Sequence, residues 1–181
     1  SERLLHHCNG YQKYYVVHNN YTMDQGSDNK NRYKRRMNLA KKIYENCDLI
    51  TVSTGVKNDI INNVKAKPAS ITTIYNGFNV DDIQNKANEG NTNIPDSPYI
   101  ICSALTTRQK RLDILLKAYK LSGISQQLVI LTIANEWLLN LIEELGLKDK
   151  VILPGFQTNP YNWIKEADLL ILCQKDKHDL L

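Results

Sequence analysis

The sequence lacks the long apolar stretches and glycine-rich loops that mark several common protein classes. Its longest uninterrupted apolar runs are Leu128–Leu131 and Leu169–Cys173, far short of the ~20 residues of a membrane-spanning helix. Only 8 glycines occur in 181 residues, and none belongs to a Walker loop or a GxGxxG fingerprint. HExxH, G-x-S-x-G and clustered metal ligands are also absent. Any phosphate chemistry must therefore use another arrangement of residues.

Cysteine is sparse, and its spacing carries no metal or redox pattern. The four cysteines, at positions 8, 47, 102 and 173, are too scattered for a CxxC or zinc-binding motif. Cys102 and Cys173 stand inside apolar runs, where a thiol usually behaves as a small hydrophobic group. We therefore expect a cytoplasmic, reducing environment without disulfides. No charged-then-apolar leader supports secretion, and Ser1 in place of Met leads us to expect a fragment or a processed chain.

Positive charge is concentrated in the first part of an otherwise average globular composition. Residues 1–70 hold 12 Lys and Arg against 6 Asp and Glu. The basic residues that occur with no acid between Asp28 and Glu45 are Lys30, Arg32, Lys34, Arg35, Arg36, Lys41 and Lys42. They form either a solvated helix face or, because the same helix has an apolar side, a contact with an anionic membrane surface. Base-stacking aromatics and nucleic-acid motifs are missing, so we expect no nucleic acid partner.

Strands alternate with helices along the whole chain. Hydrophobic patterning predicts strands at Tyr14–His18, Asp48–Ser53, Ser70–Tyr75, Pro98–Ala104, Gln127–Ile133, Lys150–Leu153 and Asp168–Cys173. Helices are predicted at Asn31–Asn46, Val56–Val64, Gln109–Leu121, between an Asn135 cap and Gly146, and at Pro160–Ala167. Apolar runs without alternation suit parallel strands that are buried on both faces. The sequence therefore predicts an α/β protein with parallel sheets, divided by an Asn-rich linker over 85–97 into domains 1–84 and 98–181.

Two segments carry residues suited to ligand chemistry. In open parallel sheets, ligands bind at the carboxyl ends of strands, and the turn LTTRQKR after Pro98–Ala104 holds Arg108, Lys110 and Arg111. A helix that starts near Gln109 would add free N–H groups, which together with these cations suit a diphosphate; a solvated helix start is the alternative. His18 ends a strand and is either a partner for a ligand hydroxyl or a structural histidine.

The ordered set of segments resembles glycosyltransferase family 4. The similarity runs over roughly residues 14–175, through VVHNN, ENCDLITVSTGVKNDI, IYNGFNVDDI, ICSALTTRQKRLDILLKAYKL, LIEELGLKDKVILPGF and WIKEADLLILC. It implies a GT-B fold, in which parts of two Rossmann-like domains are present, the acceptor-side domain first and the donor-nucleotide domain second. It also implies retaining transfer of a sugar from a nucleotide-sugar to a surface-glycan acceptor, such as lipopolysaccharide or capsule. The nucleotide-sugar is then a co-substrate, and no cofactor or metal is expected.

The resemblance assigns roles to particular residues. His18 matches the histidine near the transferred sugar, and Lys110, with Arg108 or Arg111, matches the cations on the donor diphosphate. Pro154, Gly155 and Phe156 match the turn at the nucleotide-base pocket. The residues that remain candidates for contact with the inner face of the cytoplasmic membrane are Lys34, Arg35, Arg36, Lys41 and Lys42.

The sequence also departs from the family at several donor contacts. The family's glycine and arginine before the diphosphate lysine are replaced by Ala104 and Leu105, and its glycine-rich turn by Thr132–Asn135 (TIAN). Where two donor-site glutamates are expected, the chain reads QKDKHDLL. We therefore expect little or no activity from this chain alone. The alternative function is an inactive, truncated remnant that acts as a binding or membrane-associated module.

Overall fold

The computed structural model of the chain describes residues 13–22, 30–90 and 93–173. The chain divides into two compact units between Phe78 and Asn79. Each unit contains a parallel β-sheet. The predicted α/β class with parallel sheets is therefore confirmed.

The first unit is built on a sheet of three parallel strands in sequential order. These strands are β1 (Tyr14–Val17), β2 (Asp48–Thr51) and β3 (Ser70–Thr73). The helical segments that connect them are α1 (Lys30–Tyr44), α2 (Thr54–Asn58) and a π-helical segment over Asp59–Val64. Ser53 caps α2, because its Oγ accepts a hydrogen bond from the Val56 N–H at 3.2 Å. The predicted single helix Val56–Val64 is therefore present as two segments with different hydrogen-bonding patterns.

The core of the first unit combines residues from the sheet and from the helices. Its buried members are Tyr15, Val17, Ala40, Ile43, Tyr44, Leu49, Val56, Ile60, Val64 and Ala66. Ala40, Ile43 and Tyr44 recur at helical spacing, so α1 presents one apolar face to this core. Because that face is fixed, the remaining positions of α1 are directed toward solvent or toward the segment that follows β1.

The second unit has four parallel strands in the order β6-β5-β4-β7. They are β4 (Tyr99–Ser103), β5 (Gln127–Leu131), β6 (Val151–Ile152) and β7 (Leu169–Leu170). Its α-helices are α3 (Val80–Ala87), α4 (Leu112–Ser122), α5 (Glu136–Glu144) and α6 (Tyr161–Lys165). The predicted caps of α5 are present: Asn135 Oδ1 accepts from the Leu138 N–H at 3.0 Å. Gly146 follows the helix with φ 66°, a left-handed conformation that glycine adopts without steric cost.

The central strands of the second unit are buried on both faces. One core lies between the sheet and the pair α4 and α5, with Leu112, Leu116, Leu128 and Leu138 fully buried. The other core contains Trp163, whose carbonyl oxygen accepts a hydrogen bond from the Tyr99 hydroxyl at 2.5 Å. The uninterrupted apolar character of β4 and β5 is explained by these two cores.

Helix α3 was not predicted from the sequence. Asn79 Oδ1 accepts from the Asp82 N–H at 3.1 Å and so caps the helix. Its end packs near α6, where Asn159 Nδ2 donates to the Lys86 carbonyl at 2.8 Å. The predicted linker over 85–97 thus begins inside a helix. The compact units divide between Phe78 and Asn79, and the domain limits 1–84 and 98–181 stay a prediction.

The helices of the described residues are short or polar compared with a membrane-spanning helix. None of them combines the length and the apolar character needed to cross a bilayer.

Candidate functional site

The strand order of the second unit reverses at β4, and in open parallel sheets such a reversal marks a ligand crevice at the carboxyl ends of the strands. β5 and β6 lie on one side of β4, and β7 lies on the other. In an open parallel sheet, ligands bind outside the carboxyl ends of the strands where the order reverses in this way. The turn over residues 104–111 follows β4 and therefore lies at this crevice. It contains the three cations that the sequence predicted for a diphosphate.

This turn is held to the neighbouring turn after β5. The Ala104 N–H donates to the Leu131 carbonyl at 3.3 Å, and the Thr106 hydroxyl donates to the Ile133 carbonyl at 3.3 Å. Within the turn, the Lys110 N–H donates to the Thr107 carbonyl at 3.0 Å. The backbone that carries Lys110 is thus fixed by bonds inside the turn and by bonds to the next strand.

The expected helix start near Gln109 is wrong in detail. Residues Arg108–Lys110 form a short 3₁₀ turn, and α4 begins only at Leu112. Arg111 separates the two segments because it adopts a left-handed conformation, with φ 46° and ψ 43°. Hydrophobic spacing carries no signal for such an interruption. The apolar periodicity alone therefore predicted a helix that begins three residues too early.

Arg111 is engaged by a carboxylate at the start of α4. Its Nε lies 3.0 Å from Asp113 Oδ1, and its Nη2 lies 3.1 Å from Asp113 Oδ2. The hydrogen bond from Arg111 lowers the pKa of the Asp113 carboxyl group, as do the backbone N–H groups of Ile114 and Asp113 itself, while burial opposes the shift. These amides belong to the first turn of α4, so they are not free for a ligand, contrary to the sequence expectation.

The Lys110 ammonium group acts electrostatically on the buried Cys102 thiol near the end of β4, which has the half-buried Cys173 thiol as a neighbour. Burial raises the pKa of the Cys102 thiol to about 11, the neighbouring Cys173 thiol adds to this effect, and the Lys110 ammonium group opposes it. Burial also raises the pKa of Cys173. In the described part of the chain, no ion pair involves the half-buried Lys110. Lys110 is therefore better suited than Arg111 to neutralise a bound anion.

The third cation of the predicted diphosphate site, Arg108, opens the short 3₁₀ turn. Its side chain lies outside the described part of the structure. The other two predicted cations differ in their surroundings: the Lys110 ammonium group acts on the Cys102 thiol, and the Arg111 guanidinium donates hydrogen bonds to Asp113.

The predicted base-pocket turn follows β6 at the same end of the sheet. Gly155 has φ 85°, a conformation that favours glycine. The Pro154 carbonyl accepts a hydrogen bond from Gln157 Nε2 at 2.9 Å, which closes the turn. Phe156 is 69% exposed. An exposed aromatic ring beside a rigid turn can stack on a flat ring of a ligand.

Two departures from the family pattern lie in the turns after β4 and β5, and the third, QKDKHDLL over 174–181, lies outside the described residues. Leu105, which stands at the family's arginine position, is 63% exposed. Ile133, inside the TIAN turn, is 65% exposed. Apolar side chains therefore occupy two positions where the family presents a cation or a bare backbone, and they offer no donor to a phosphate.

The first unit has a cavity at the carboxyl end of β1. It measures about 310 Å³, and its lining residues are Val16, Val17, His18, Asn19, Asn20, Tyr21, Arg36 and Tyr44. His18 follows β1 directly and is exposed. The predicted catalytic histidine therefore opens onto a cavity of ligand size.

The segment that lines this cavity is held by buried polar contacts. Thr22 donates its N–H to Asp59 Oδ2 at 3.2 Å, and its hydroxyl also bonds to the Asp59 carboxylate. The Tyr44 hydroxyl lies 3.1 Å from the Tyr21 hydroxyl, and the two rings meet edge to face. These contacts tie the residues after β1 to α1 and to the π-helical segment, so the cavity has a fixed wall.

The predicted membrane-surface residues do not lie on one face of α1. Lys34, Arg35, Lys41 and Lys42 are exposed. Arg36 is half-buried and lines the His18 cavity. Arg36 shares its helix face with Ala40 and Ile43, at spacings of four and seven residues, and this spacing in the sequence could have distinguished it from its neighbours.

A larger cavity lies at the opposite end of the second sheet. It measures about 590 Å³, and its lining includes Pro98 and Asp168, which precede β4 and β7. None of the predicted site residues lines it. In the described ranges, no three His, Cys, Asp or Glu side chains are grouped closely enough to hold a metal ion. Because ligands of parallel sheets bind at the carboxyl ends of strands, the crevice beside Lys110 is the better candidate site.

Comparison with known families agrees with this arrangement. The profile of the family "Glycosyl transferases group 1" matches residues 84–178. The chain belongs to this family, and the resemblance inferred from the sequence is confirmed. The match begins in α3 and includes the turns after β4, β5 and β6.

A curated relative supports the same assignment. The N-acetylgalactosamine-N,N′-diacetylbacillosaminyl-diphospho-undecaprenol 4-alpha-N-acetylgalactosaminyltransferase of Campylobacter jejuni is 31% identical over 144 residues. The alignment covers 77% of this chain and 39% of the relative. The chain thus spans well under half of the length of that enzyme.

Solved structures share the fold. HepE of Anabaena, determined in complex with UDP and glucose, superposes with a TM-score of 0.69 at 16% identity, over 89% of this chain and 46% of HepE. WaaG, a glycosyltransferase involved in lipopolysaccharide biosynthesis, superposes with a TM-score of 0.66 at 15% identity, over 89% of this chain and 50% of WaaG. The predicted GT-B-like fold is confirmed by these likenesses.

Proposed function

We propose that this chain is part of a retaining glycosyltransferase that transfers a sugar from a nucleotide-sugar donor to a surface-glycan acceptor. The observation that carries the proposal is the position of Lys110 in the turn after β4, where its N–H bonds to the Thr107 carbonyl, at the strand-order reversal of the second sheet. Breaking the bond between sugar and diphosphate leaves negative charge on the diphosphate. A preorganised ammonium group at that position stabilises this charge in the transition state.

The other donor roles follow from the geometry of the same crevice. Arg111 acts beside Lys110, with its guanidinium oriented by Asp113. The turn of Pro154, Gly155 and Phe156 receives the nucleotide base, with the exposed Phe156 ring available for stacking. HepE was solved with UDP, which makes a uridine nucleotide the first donor to test. No metal is part of this proposal.

His18 supplies the role nearest to the transferred sugar. It follows β1 and lines the 310 Å³ cavity, where an imidazole can donate to or accept from a sugar hydroxyl. Holding donor and acceptor in one geometry contributes much of the rate of such a reaction. The His18 cavity is proposed as the acceptor side.

The acceptor is proposed to be carried by a lipid at the cytoplasmic membrane surface. The Campylobacter relative is named for a diphospho-undecaprenol-linked acceptor. The exposed cations of α1 that are proposed to contact anionic lipid are Lys34, Arg35, Lys41 and Lys42. Each basic side chain near such a surface is worth about 1 kcal/mol. Arg36 is omitted from this surface because it lines the cavity.

A second function is favoured by the exposed Leu105 and Ile133. Because these apolar side chains replace two sets of donor contacts, the chain could bind a nucleotide or a membrane without catalysing transfer. Two lost hydrogen bonds to a charged group cost about 3–6 kcal/mol together. Activity of this chain alone is therefore a separate question from its binding of a nucleotide.

The test is calorimetric titration of UDP, and then GDP, into the full chain. We expect UDP to bind and Lys110→Gln to weaken binding by about 10- to 150-fold, the equivalent of one charged hydrogen bond. Lys117→Gln is the matched control, since Lys117 is exposed on α4. Equal losses in both variants would refute the role of Lys110. Binding without sugar transfer would favour the second function.

A further inference from the structure

Thr132 carries a buried hydroxyl group that forms no hydrogen bond with any residue the structure describes. The residue directly follows β5 and is only 3% exposed, and its Oγ1 atom has no partner there. A buried hydroxyl of this kind has lost its hydrogen bonds to water and has gained none in return. Because most buried polar groups are hydrogen-bonded, such an exception needs a specific cause, and a ligand that supplies the missing partner is one such cause.

The strand order places Thr132 between the two proposed donor contacts. β5 lies between β4 and β6, and the three strands are parallel, so their carboxyl ends meet at one edge. The turn that begins at Thr132 therefore lies between the turn of Lys110 and the turn of Pro154–Phe156. Neighbouring strands are about 4.8 Å apart, so these two outer turns are separated by about 10 Å. In a nucleotide that spans them, the ribose joins the diphosphate to the base and lies in the middle.

Two polar side chains near Thr132 already have partners within the protein. The Thr106 hydroxyl donates to the Ile133 carbonyl at 3.3 Å. Asn135 Oδ1 accepts from the Leu138 N–H at 3.0 Å and caps α5. Thr132 differs from both, because its hydroxyl keeps its full capacity to donate and to accept.

We propose that the Thr132 hydroxyl binds a ribose hydroxyl group of the donor nucleotide, so that Thr132 favours ribonucleotides over deoxyribonucleotides. This inference rests on the proposed function, because it adds a contact to the donor site of the second unit. Two hydroxyl groups pair well, since each can act as donor or as acceptor. Thr132 is a specificity-determining residue, and Lys110 keeps its role at the diphosphate.

The ligand reaches this hydroxyl when the turns after β4 and β5 move slightly apart. The side-chain hydrogen bond between them, from Thr106 to Ile133, measures 3.3 Å, which is longer than the usual range of about 2.5–3.0 Å for two oxygen atoms. The Leu105 and Ile133 side chains in these turns are 63% and 65% exposed. The movement therefore breaks one weak bond and removes little packing.

The first experiment measures the stability of the full chain without ligand. Thr132→Val removes the hydroxyl and keeps the shape of the side chain, so the urea midpoint should rise by roughly 0.5 M. Tyr119→Phe is the matched control and should lower the midpoint, because the buried Tyr119 hydroxyl donates to the Gln126 carbonyl at 2.7 Å. Tryptophan fluorescence follows this transition, since both tryptophans, Trp137 and Trp163, belong to the second unit.

A higher midpoint of Thr132→Val would support the proposal, because the hydroxyl would then cost stability until a ligand pairs with it. An unchanged or lower midpoint would show that the hydroxyl is satisfied without a ligand, and that result would overturn the proposal. A purely structural threonine does not gain stability when its hydroxyl is removed.

The second experiment is calorimetric titration with UDP or GDP, whichever binds, and with the 2′-deoxy and 3′-deoxy forms of that nucleotide. We expect the wild type to bind one deoxy form about 2- to 12-fold more weakly, as for one neutral hydrogen bond. Thr132→Val should weaken binding of the parent nucleotide by the same factor and should no longer distinguish it from that deoxy form. Thr132→Ser, which keeps the hydroxyl, should retain the discrimination, and Tyr119→Phe should leave all three affinities unchanged.

The outcomes separate this contact from the proposed function. Discrimination that persists in Thr132→Val, or an equal loss of inorganic pyrophosphate binding in that variant, would overturn the ribose contact. Nucleotide binding that Lys110→Gln weakens and Thr132→Val leaves unchanged would count against Thr132 alone. If the folded wild type binds neither UDP nor GDP, the donor site and the ribose contact are both refuted.

Discussion

Arg111 and Asp113 form a bidentate ion pair across the start of α4, with N–O distances of 3.0 and 3.1 Å. The pair joins a residue in the left-handed conformation to the first turn of the helix. The pair fixes the direction of the Arg111 guanidinium. The Asp113 carboxylate also accepts hydrogen bonds from the backbone N–H groups of Asp113 and Ile114, which are then not available to a ligand. Asp113 is therefore as much a part of the candidate donor site as the cations that the sequence showed.

The first prediction concerns the stability contribution of this pair. Both side chains are about a quarter to a third exposed, so we expect a coupling free energy of only about 0.5–1 kcal/mol in a double-mutant cycle of Arg111→Gln and Asp113→Asn. The pKa of Asp113 is lowered from the ordinary value of 3.8. The stabilisation of the folded state by the ionised Asp113 is therefore fully present above pH 3.8. It is lost as the pH falls through the lower pKa of Asp113 in the folded state.

Urea unfolding of the four proteins of the cycle, from about pH 7 to about pH 2, measures this coupling and its pH dependence. The exposed pair Lys86–Asp82 on α3 is the control, and its coupling should be smaller. A coupling that stays constant down to the lowest pH would show that the carboxylate charge of Asp113 is not responsible.

The second prediction restores the family pattern in the turn after β4. Replacing Ala104 by Gly and Leu105 by Arg should tighten UDP binding by about tenfold or more, because a guanidinium adds a charged hydrogen bond to the diphosphate. Leu105 is 63% exposed, so an arginine has room there. The measurement is the calorimetric dissociation constant of UDP in the double variant.

Leu121→Arg is the control for this gain of charge. Leu121 lies near the end of α4 and is 87% exposed, so an arginine there adds the same net charge without reaching the crevice. If Leu121→Arg tightens UDP binding as much as the double variant does, the gain comes from net charge and the assignment of Leu105 to the donor site fails.

The sequence predicted the elements that depend on local signals. The cap at Asn135, the helix end at Gly146 and the apolar strands are read directly from residue types, and the structure contains all of them. Strand order follows from none of these signals. The reversal of strand order at β4, with β5 on one side and β7 on the other, was not predicted from the sequence.

Two site residues needed the three-dimensional structure. The left-handed conformation of Arg111 has no signal in the sequence, because arginine rarely adopts it and the apolar periodicity continues past it. Arg36 belongs to a run of basic residues in the sequence, and a charge run alone does not show which helix face each residue occupies. Its spacing from Ala40 and Ile43 was the available signal, and only burial of that face decides where the side chain points.

The third prediction uses the buried thiol beside Lys110. Burial raises the pKa of Cys102 to about 11 from an ordinary value of 9.0, so the folded state keeps its proton where the unfolded state loses it. The free energy of unfolding should therefore fall by about 2–3 kcal/mol more in the wild type than in Cys102→Ala as the pH rises from 9.0 to about 11.

Denaturant unfolding at a series of alkaline pH values measures this difference. Cys47→Ala is the control. Cys47 is only half-buried, and burial raises its pKa by less than it raises the pKa of Cys102. Parallel stability curves of wild type and Cys102→Ala would contradict the prediction. The comparison uses the change in the free energy of unfolding with pH. The cavity left by Cys102→Ala lowers that free energy by the same amount at every pH and therefore does not affect the comparison.

The last prediction tests the membrane contact of α1. Lys34 and Lys41 are seven residues apart and both exposed, so they lie on one face of the helix. Lys34→Gln with Lys41→Gln should weaken binding to phosphatidylglycerol-containing vesicles by roughly 30-fold, at about 1 kcal/mol for each charge. Sedimentation with vesicles measures this binding, and vesicles of phosphatidylcholine alone should bind little of either protein.

The matched control is Lys117→Gln with Lys120→Gln, which removes two exposed lysines from α4. The two variants have the same net charge, so general electrostatic attraction would weaken them equally, and that result would refute a specific α1 surface. Binding to the anionic vesicles must also decrease as the salt concentration rises.

Single-stranded RNA with the same total charge as the vesicle lipids tests a nucleic-acid partner. If this RNA competes with the vesicles and only the α1 variant loses RNA binding, the basic surface serves a nucleic acid and the membrane assignment is wrong. Selective loss of vesicle binding in the α1 variant would instead place the His18 cavity, which the opposite face of the same helix lines through Arg36, next to the lipid surface that carries the acceptor.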